Sequence, residues 1–268
     1  MHPMLNIAIR GARKGGDIIV RHLDRVQGLR IDTKQQNDFV TEVDRLAEGA
    51  IIEILLKAYP NHAILAEESG THGSDEYQWV VDPLDGTTNF IHGFPQFAVS
   101  IALKYRGRLD QAVVYDPLRQ ELFTASRGEG ALLNDRRIRV TQHLNLPGAL
   151  LGTGFPFREL QHLDRYLAML KALIEVTSGI RRAGSAALDL AYVACGRLDG
   201  FWEFGLKQWD IAAGALLILE AGGIVSDLEG GSGYLRSGNV VTGGPKVHKE
   251  ILKTLEPFIA PSSNTPAD

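Results

Sequence analysis

The segment around Asp82 and Asp85 places two carboxylates where an apolar strand would end. The run Trp79–Val81 leads straight into Asp82, and Pro83 then fixes the backbone and ends ladder pairing. Because the two acids are three residues apart, a turn can bring both carboxylates, with the Leu84 carbonyl between them, to one point. Hard oxygen ligands of this kind suit Mg²⁺. The alternative is a plain turn followed by a helix N-cap, since Asp-Pro is a common turn signal.

The residues directly after this turn are suited to phosphate. Gly86 allows a ligand to approach the backbone closely, and Thr87 offers a hydroxyl. Residues 87–89 can open a helix, and the first N–H groups of a helix have no partner within it. Such groups bind anions readily. The sequence therefore predicts a phosphate beside the proposed Mg²⁺ ligands.

Further acids come from separate stretches of the chain. Glu67 and Glu68 follow the apolar strand Ile64–Ala66, where paired like charges are unfavourable without a cation. Asp44 and Asp210 each stand where a helix could begin. Each has a plainer interpretation, because paired acids are common in solvated loops and Asp is a good helix N-cap.

Charge balance favours a metal if the fold brings these acids together. Glu67, Asp82, Asp85 and Asp210 carry four negative charges. A phosphate monoester adds about −1.5 to −2. Because buried unpaired charge is costly, two or three Mg²⁺ ions would roughly neutralise the sum.

Hydrophobic periodicity predicts the elements that must position these residues. Helices are predicted at Met4–Leu23 and Asp44–Tyr59, and strands at Phe97–Tyr105 and Gln111–Tyr115 joined by a hairpin turn at 106–108. Gly28–Asn37 is predicted to be a loop. Helices and strands alternate in the second half, so we expect an α/β (α+β) fold with helices layered against sheets.

Composition narrows the classes of function. The chain has 268 residues, a net charge of −4 and one cysteine, Cys195, and these features argue mildly against general nucleic-acid binding and suit a reducing cytosol. We expect no strong direct nucleic-acid binding, no signal peptide and no membrane span. We expect a cytoplasmic location. We predict one domain over 1–268, with two intimate halves at about 1–145 and 146–260 and a flexible tail at 261–268.

At these residues the sequence resembles the inositol monophosphatase family, in order and spacing, from about Met4 to Leu255. The matching segments are Asp38-Phe39-Val40-Thr41 with Asp44, Glu67-Glu68-Ser69-Gly70, Asp82 through Phe90, and Trp209-Asp210 with Ala212-Ala213-Gly214. A small departure is Gln208, where many members have Pro before Trp-Asp. The opening Met1–Ile7 and the later Arg181–Asp189 are closest to a bacterial branch of the family.

The resemblance implies a layered α/β/α/β/α sandwich, usually a homodimer, with two to three Mg²⁺ per active site. It implies metal ligands at Glu67, Asp82, Leu84, Asp85 and Asp210, and catalytic residues at Glu67, Thr87 and Asp44. It implies substrate contacts at Leu84, Asp85, Gly86, Thr87, Arg181, Gly184, Ser185, Ala186, Glu203 and Asp210. The implied reaction is attack of a metal-activated water on a small phosphorylated polyol, inositol monophosphate, with sensitivity to lithium.

Two alternatives remain open. Related phosphatases that share the metal motif act on nucleotide bisphosphates, fructose bisphosphate or histidinol phosphate, and the sequence separates them only through Glu203 and Arg181. Resemblance to the bacterial branch also implies a role in ribosomal RNA transcription antitermination, with RNA polymerase and NusA as partners, in which the chain could act mainly as a scaffold. Basic clusters at Arg136-Arg137 with Arg139 and at Arg181-Arg182 could serve such partners, or be solvated or phosphate-facing charge.

Overall fold

The computed structural model describes residues 2–23, 31–35, 38–157 and 160–259. The predicted tail at 261–268 lies outside these residues. The helices of the described residues are α1 (Pro3–Leu23), α2 (Glu42–Ala58), α3 (Thr87–Ile91), α4 (Leu163–Ile174), α5 (Ala186–Ala194), α6 (Gln208–Glu220), α7 (Tyr234–Ser237) and α8 (Pro245–Leu255). Short 3₁₀ helices span Leu160–His162 and Glu256–Phe258.

The strands of the first half are β1 (Ile31–Gln35), β2 (Asp38–Thr41), β3 (Ala63–Ala66), β4 (Gly70–His72), β5 (Tyr77–Asp85), β6 (Ala98–Tyr105), β7 (Arg108–Asp116), β8 (Glu121–Ser126), β9 (Gly130–Leu133) and β10 (Arg136–Arg137). Those of the second half are β11 (Leu150–Thr153), β12 (Gly179–Arg181), β13 (Gly200–Glu203), β14 (Ile224–Ser226) and β15 (Val240–Gly243).

Two large sheets organise the described residues. The eight-stranded sheet has the order β10-β9-β8-β7-β6-β5-β3-β4, and β3 pairs with β5 in parallel. The five-stranded sheet has the order β12-β11-β13-β15-β14, with β11 parallel to both of its neighbours. Strands β1 and β2 form a separate antiparallel pair. The boundary between the sheets falls near the predicted halves, and the single-domain assignment stays a prediction.

Helices cover both sheets and fill the space between them, which gives five layers. Helices α1 and α2 pack on one face of the eight-stranded sheet, where their apolar stripes join the side chains of β5–β7. Helices α5 and α6 lie between the two sheets. Helices α4 and α8 cover the outer face of the five-stranded sheet. The expected α/β/α/β/α sandwich is confirmed.

The central helices are apolar on every side because both of their faces are covered. Eight of the nine residues of α5 and nine of the thirteen residues of α6 are buried, as expected for helices enclosed by protein. The two helices approach closely at Gly214, where an added Cβ would lie 2.4 Å from the Leu190 Cβ. This close packing holds the first turns of both helices, and hence their acids, in fixed positions.

The periodic elements match the sequence closely, and the irregular ones less so. The buried stripe of α1 and the hairpin between β6 and β7 are both confirmed, and Arg106 and Gly107 turn with positive φ. The predicted loop at Gly28–Asn37 is wrong at Ile31–Gln35, which forms β1 by pairing with β2, and its other positions lie outside the described residues. The short strands β11 and β12 give no pattern of their own and depend on pairing within the sheet. No helix of the described residues is long and apolar enough to cross a membrane.

Candidate metal centre and substrate cleft

A β-bulge at the end of β5 aims the central acids. The partner of Asp82 on β6 is Ser100 and that of Asp85 is Ala98, so β5 has one residue more than β6 at this point. Pro83 is therefore not the end of pairing, as the sequence suggested, but part of a bulge, one of the few places in a sheet where proline is tolerated. Bulges re-aim side chains, and this one turns Asp82, the Leu84 carbonyl and Asp85 toward the cleft.

Three acids from distant stretches meet at this bulge. Carboxylate oxygens of Asp82, Asp85 and Asp210 lie within 4.8 Å of one another. Glu67 lies close enough to Asp82 to raise the pKa of that buried acid. Asp210 stands in the first turn of α6, where its carboxylate also accepts the Lys207 N–H at 2.6 Å.

The electrostatics of the cluster fit a bound cation. Burial raises the pKa of Asp82 well above its usual value, and the negative charges of Glu67, Asp85 and Asp210 raise it further. Burial also raises the pKa of Asp85 to about 6, although hydrogen bonds from Ser185 and Ala187 oppose the shift. Ionised carboxylates buried this close together repel one another. Divalent cations at the same point would relieve this repulsion with the carboxylates ionised, so these residues fit Mg²⁺.

The turn after the bulge is set by Gly86 and Thr87. Gly86 has φ of 100° and caps α3, and an added Cβ would lie 2.8 Å from the Gln96 carbonyl oxygen. Any larger residue would displace the backbone that faces the cleft. The Thr87 hydroxyl lies 2.9 Å from Asp44 Oδ1 and 3.1 Å from the Leu84 carbonyl oxygen, so it is held beside a predicted metal ligand.

Asp44 contacts the site only through the Thr87 hydroxyl. It is not the helix N-cap that the sequence suggested. Thr41 caps α2, and Asp44 is the third residue of the helix, where its Oδ2 accepts from the Thr41 N–H and hydroxyl. The other oxygen accepts from Thr87. Burial raises the pKa of Asp44, and the hydrogen bonds from Thr41 and Thr87 oppose that shift. Asp44 does not line the cleft, and it orients Thr87.

Glu48 holds the loop that carries Glu67. Its side chain is buried, and its two carboxylate oxygens accept the N–H groups of Glu68 at 2.8 Å and Ser69 at 2.9 Å. The Glu67 N–H donates to the Val81 carbonyl, which ties the same loop to β5. The backbone on both sides of Glu67 is therefore fixed.

The start of α5 closes the cleft opposite the bulge. Ser185 caps α5, and its hydroxyl donates to Asp85 Oδ2 at 2.6 Å. The Ala187 N–H donates to the same oxygen at 2.7 Å. The Asn89 side-chain amide donates to the carbonyls of Ala183 and Gly184. These hydrogen bonds connect the end of β5 and helix α3 to the start of α5 at the cleft.

The cleft has a volume of about 370 Å³ and takes in most of the predicted residues. Those predicted from the sequence that line it are Glu67, Asp82, Leu84, Asp85, Gly86, Thr87, Gly184, Ser185, Ala186, Glu203 and Asp210. Arg181 does not line it: the side chain is exposed at the end of β12 and donates to the Ile180 carbonyl. Arg182 lines the cleft instead, with its guanidinium 5.1 Å from the Phe155 ring and 4.8 Å from the Phe157 ring.

Sequence reasoning missed several lining residues, among them Arg182, Asp189 and the segment Thr153–Phe157. The pair Arg181-Arg182 gave no local signal to tell the two apart. Asp189 did give one, because it is the acid of an otherwise apolar helix and stands four residues after the cap Ser185. The departure at Gln208 leaves the site intact: Gln208 opens α6, as Pro would, and accepts from Lys104 Nζ at 2.9 Å.

Fold and site together define a family of proteins. A profile of the inositol monophosphatase family matches residues 1–259, and the chain belongs to that family. It is 59% identical over 268 residues to the "Nus factor SuhB" of Pseudomonas aeruginosa, covering 98% of this chain and 99% of that one.

Solved structures agree. The extragenic suppressor protein suhB from Bartonella henselae superposes with a TM-score of 0.94 at 45% identity, covering 96% of this chain and 100% of that one. The inositol monophosphatase from Anabaena superposes with a TM-score of 0.86 at 38% identity, covering 97% of both chains.

Proposed function

We propose that this chain is a Mg²⁺-dependent phosphatase that hydrolyses small phosphate monoesters, with inositol monophosphate as the preferred substrate. The observation that carries the proposal is the meeting of Asp82, Asp85 and Asp210 beside Gly86 and Thr87. Clustered acids can bind a cation, and the backbone beside them at Gly86, which a ligand can approach closely, can bind an anion such as phosphate. The family of the chain and the name of the Anabaena structure support the same reaction.

The cluster contains the groups that two or three ions would need. One ion would be held by Glu67, Asp82 and the Leu84 carbonyl, a second by Asp82, Asp85 and Asp210, and a weaker third near Glu67. Bound there, Mg²⁺ would acidify a water and stabilise the charge that develops on the phosphate and the leaving oxygen.

The chain's own residues bind and orient the reactants. Gly86 and Thr87 hold the phosphate at the N-terminal end of α3. Thr87 and Glu67 orient the attacking water and help to take its proton, and Asp44 keeps the Thr87 hydroxyl in place through their 2.9 Å hydrogen bond. Gly184, Ser185, Ala186 and Glu203 face the polyol, and we assign Arg182 the place beside it that the family resemblance suggested for Arg181.

Phosphate release from a panel of phosphate monoesters, with and without Mg²⁺, tests the proposal. We expect wild-type protein to hydrolyse inositol monophosphate in Mg²⁺ and to lose activity in a chelator. Asp85→Asn should keep the fold and lose at least about 100-fold in kcat, since it removes charge from the cation site without changing shape. Asp164→Asn, an exposed acid on α4, is the matched control. Turnover by Asp85→Asn close to that of the control would refute the site, and preference for a bisphosphate would change the substrate.

A second candidate function concerns transcription. A relative with 59% identity over nearly the whole chain has the name Nus factor SuhB. We propose that this chain, as a cytoplasmic homodimer, also takes part in ribosomal RNA antitermination through RNA polymerase and NusA. Titration of the purified chain with NusA and with polymerase tests this, and absence of binding to both would leave the phosphatase alone.

A further inference from the structure

Asp189 is a buried acid that the proposed chemistry does not use. It lies in the first turn of α5, the residue is 2% exposed, and it forms part of the cleft lining. Its backbone N–H continues the helix by donating to the Ser185 carbonyl. Among the described residues, no hydrogen bond or ion pair reaches its carboxyl group. Buried polar groups nearly always have partners, so an acid without one, facing a cleft, indicates a ligand.

The two nearest explanations do not account for Asp189. It is not among the acids whose oxygens cluster within 4.8 Å at the bulge, so it does not extend the cation site. Arg182 lowers the pKa of Asp189 only as a nearby charge, because its guanidinium lies over the rings of Phe155 and Phe157 and forms no ion pair with the acid in the described part of the chain. Asp189 is therefore neither a metal ligand nor one half of a salt bridge.

The surroundings of Asp189 indicate what it could bind. Glu203, from β13, lines the same cleft and likewise has no hydrogen-bond partner among the described residues. Burial, together with nearby acids, raises the pKa of both carboxyls well above the usual values. A carboxyl group accepts a hydrogen bond from an alcohol in either protonation state, and when it is protonated it can also donate one. The phosphate is already assigned to other lining residues, Gly86 and Thr87.

We propose that Asp189 is a specificity-determining residue that, beside Glu203, forms hydrogen bonds with a hydroxyl group of the substrate's polyol. This inference rests on the proposed function. It narrows the substrates to phosphate monoesters that have a hydroxyl group able to reach Asp189. Aryl or simple alkyl phosphates would leave Asp189 without a partner. Sites built to bind a hydroxyl reject analogues that lack it, because the protein's own polar group then stays unsatisfied.

The test compares two substrates in three variants. The substrates are myo-inositol 1-phosphate and p-nitrophenyl phosphate, which has no hydroxyl. Asp189→Ala removes the hydrogen-bonding group, Asp189→Asn keeps a donor and an acceptor, and Asp199→Ala is the matched control. Asp199 lies outside the cleft, and its carboxylate accepts the Leu150 N–H at 2.8 Å.

We expect Asp189→Ala to lower the ratio of kcat/KM for the inositol substrate to that for the aryl substrate by about tenfold or more. Asp189→Asn should restore most of that ratio. Because the buried carboxyl has no partner to lose, neither change should lower Tm. The control Asp199→Ala should lower Tm and leave the ratio unchanged. A ratio within twofold of wild type in Asp189→Ala would overturn the inference, as would a lower Tm with equal loss on both substrates.

Failure of the proposed function can be recognised separately. If wild-type protein hydrolyses p-nitrophenyl phosphate better than every polyol phosphate, the phosphatase stands and the role of Asp189 is refuted. If it hydrolyses neither substrate, the proposed function fails, and calorimetry with myo-inositol 1-phosphate in Mg²⁺ still tests Asp189. Weaker binding by Asp189→Ala than by wild type would then support the inference, and equal or absent binding would reject it.

Discussion

Glu48→Gln tests whether the proposed cation site depends on Glu48, a residue that does not line the cleft. Glu48 accepts the N–H groups of Glu68 and Ser69 with its two oxygens, and it is 3% exposed. Glutamine has the same shape, but it has no charge, and its amide NH₂ must face one of the two N–H donors. One hydrogen bond is thereby lost and the loop that carries Glu67 is loosened on one side.

The magnitude follows from the two hydrogen bonds. Hydrogen bonds to a charged group contribute about 1.5–3 kcal/mol each, and a buried donor left unpaired costs about 1–3 kcal/mol. We therefore expect Glu48→Gln to lower the free energy of unfolding by about 2–4 kcal/mol. At about 2–4 °C per kcal/mol, this corresponds to a fall in Tm of roughly 4–16 °C. Loss of an outer-shell partner typically weakens metal binding by about 10–100-fold.

The assay is phosphate release as a function of Mg²⁺ concentration, alongside thermal unfolding. Glu48→Gln should need at least about tenfold more Mg²⁺ for half-maximal activity. Glu53→Gln is the matched control, an exposed glutamate on the same helix, and it should behave like wild type. A lower Tm with an unchanged Mg²⁺ requirement would show that Glu48 serves the fold and not the site. If neither changed, the reasoning from these hydrogen bonds would be refuted.

Four further predictions concern the same site. The folded-state pKa values of Asp82 and Asp85 lie above the ordinary value of 3.8, that of Asp85 at about 6, so metal-stripped protein should lose stability as pH rises from about 4 through 6. Below pH about 6, Mg²⁺ must displace protons, so the half-saturating Mg²⁺ concentration should rise as pH falls; a constant requirement between pH 5 and 8 would contradict this. Lithium at fixed Mg²⁺ should inhibit phosphate release, and insensitivity would leave a generic Mg²⁺ phosphatase. Asp210→Asn should abolish hydrolysis but leave the dimer mass, measured by light scattering, and NusA binding, measured by titration, unchanged. The reason is that a partner surface on the order of 800 Å² per side cannot lie inside the cleft. If the variant stayed dimeric but no longer bound NusA, the two functions would be coupled through the cleft.

Local patterns in the sequence were enough to single out several of the acids that line the cleft. Mg²⁺ prefers oxygen ligands, and Asp82, Leu84 and Asp85 offer them within one turn of chain. Helices with a long apolar stripe, such as α1, are predictable because their apolar residues recur at helical spacing over several consecutive turns. Short strands such as β11 are not, since a few residues in a buried strand have no pattern apart from their partners.

Roles that depend on distant contacts could not be assigned from the sequence. Asp44 looked like a helix cap, and only the tertiary structure shows Thr41 in that place and Asp44 directed at Thr87. Glu48 gave no signal, because its partners are backbone N–H groups of a different element. Backbone donors look the same in every sequence.

The sequence by itself determined which residue types this protein offers for chemistry, and its tertiary structure decided which of them act at one place. The bulge in β5, the close packing of α5 on α6 and the cap at Ser185 bring Asp210 and Asp85 together from opposite halves of the chain. In the folded chain Arg182 rather than Arg181 lines the cleft, and Asp189 is buried in the same lining. The physical reason is that a ligand type is a local property of a side chain, whereas convergence and burial depend on contacts between residues far apart in sequence.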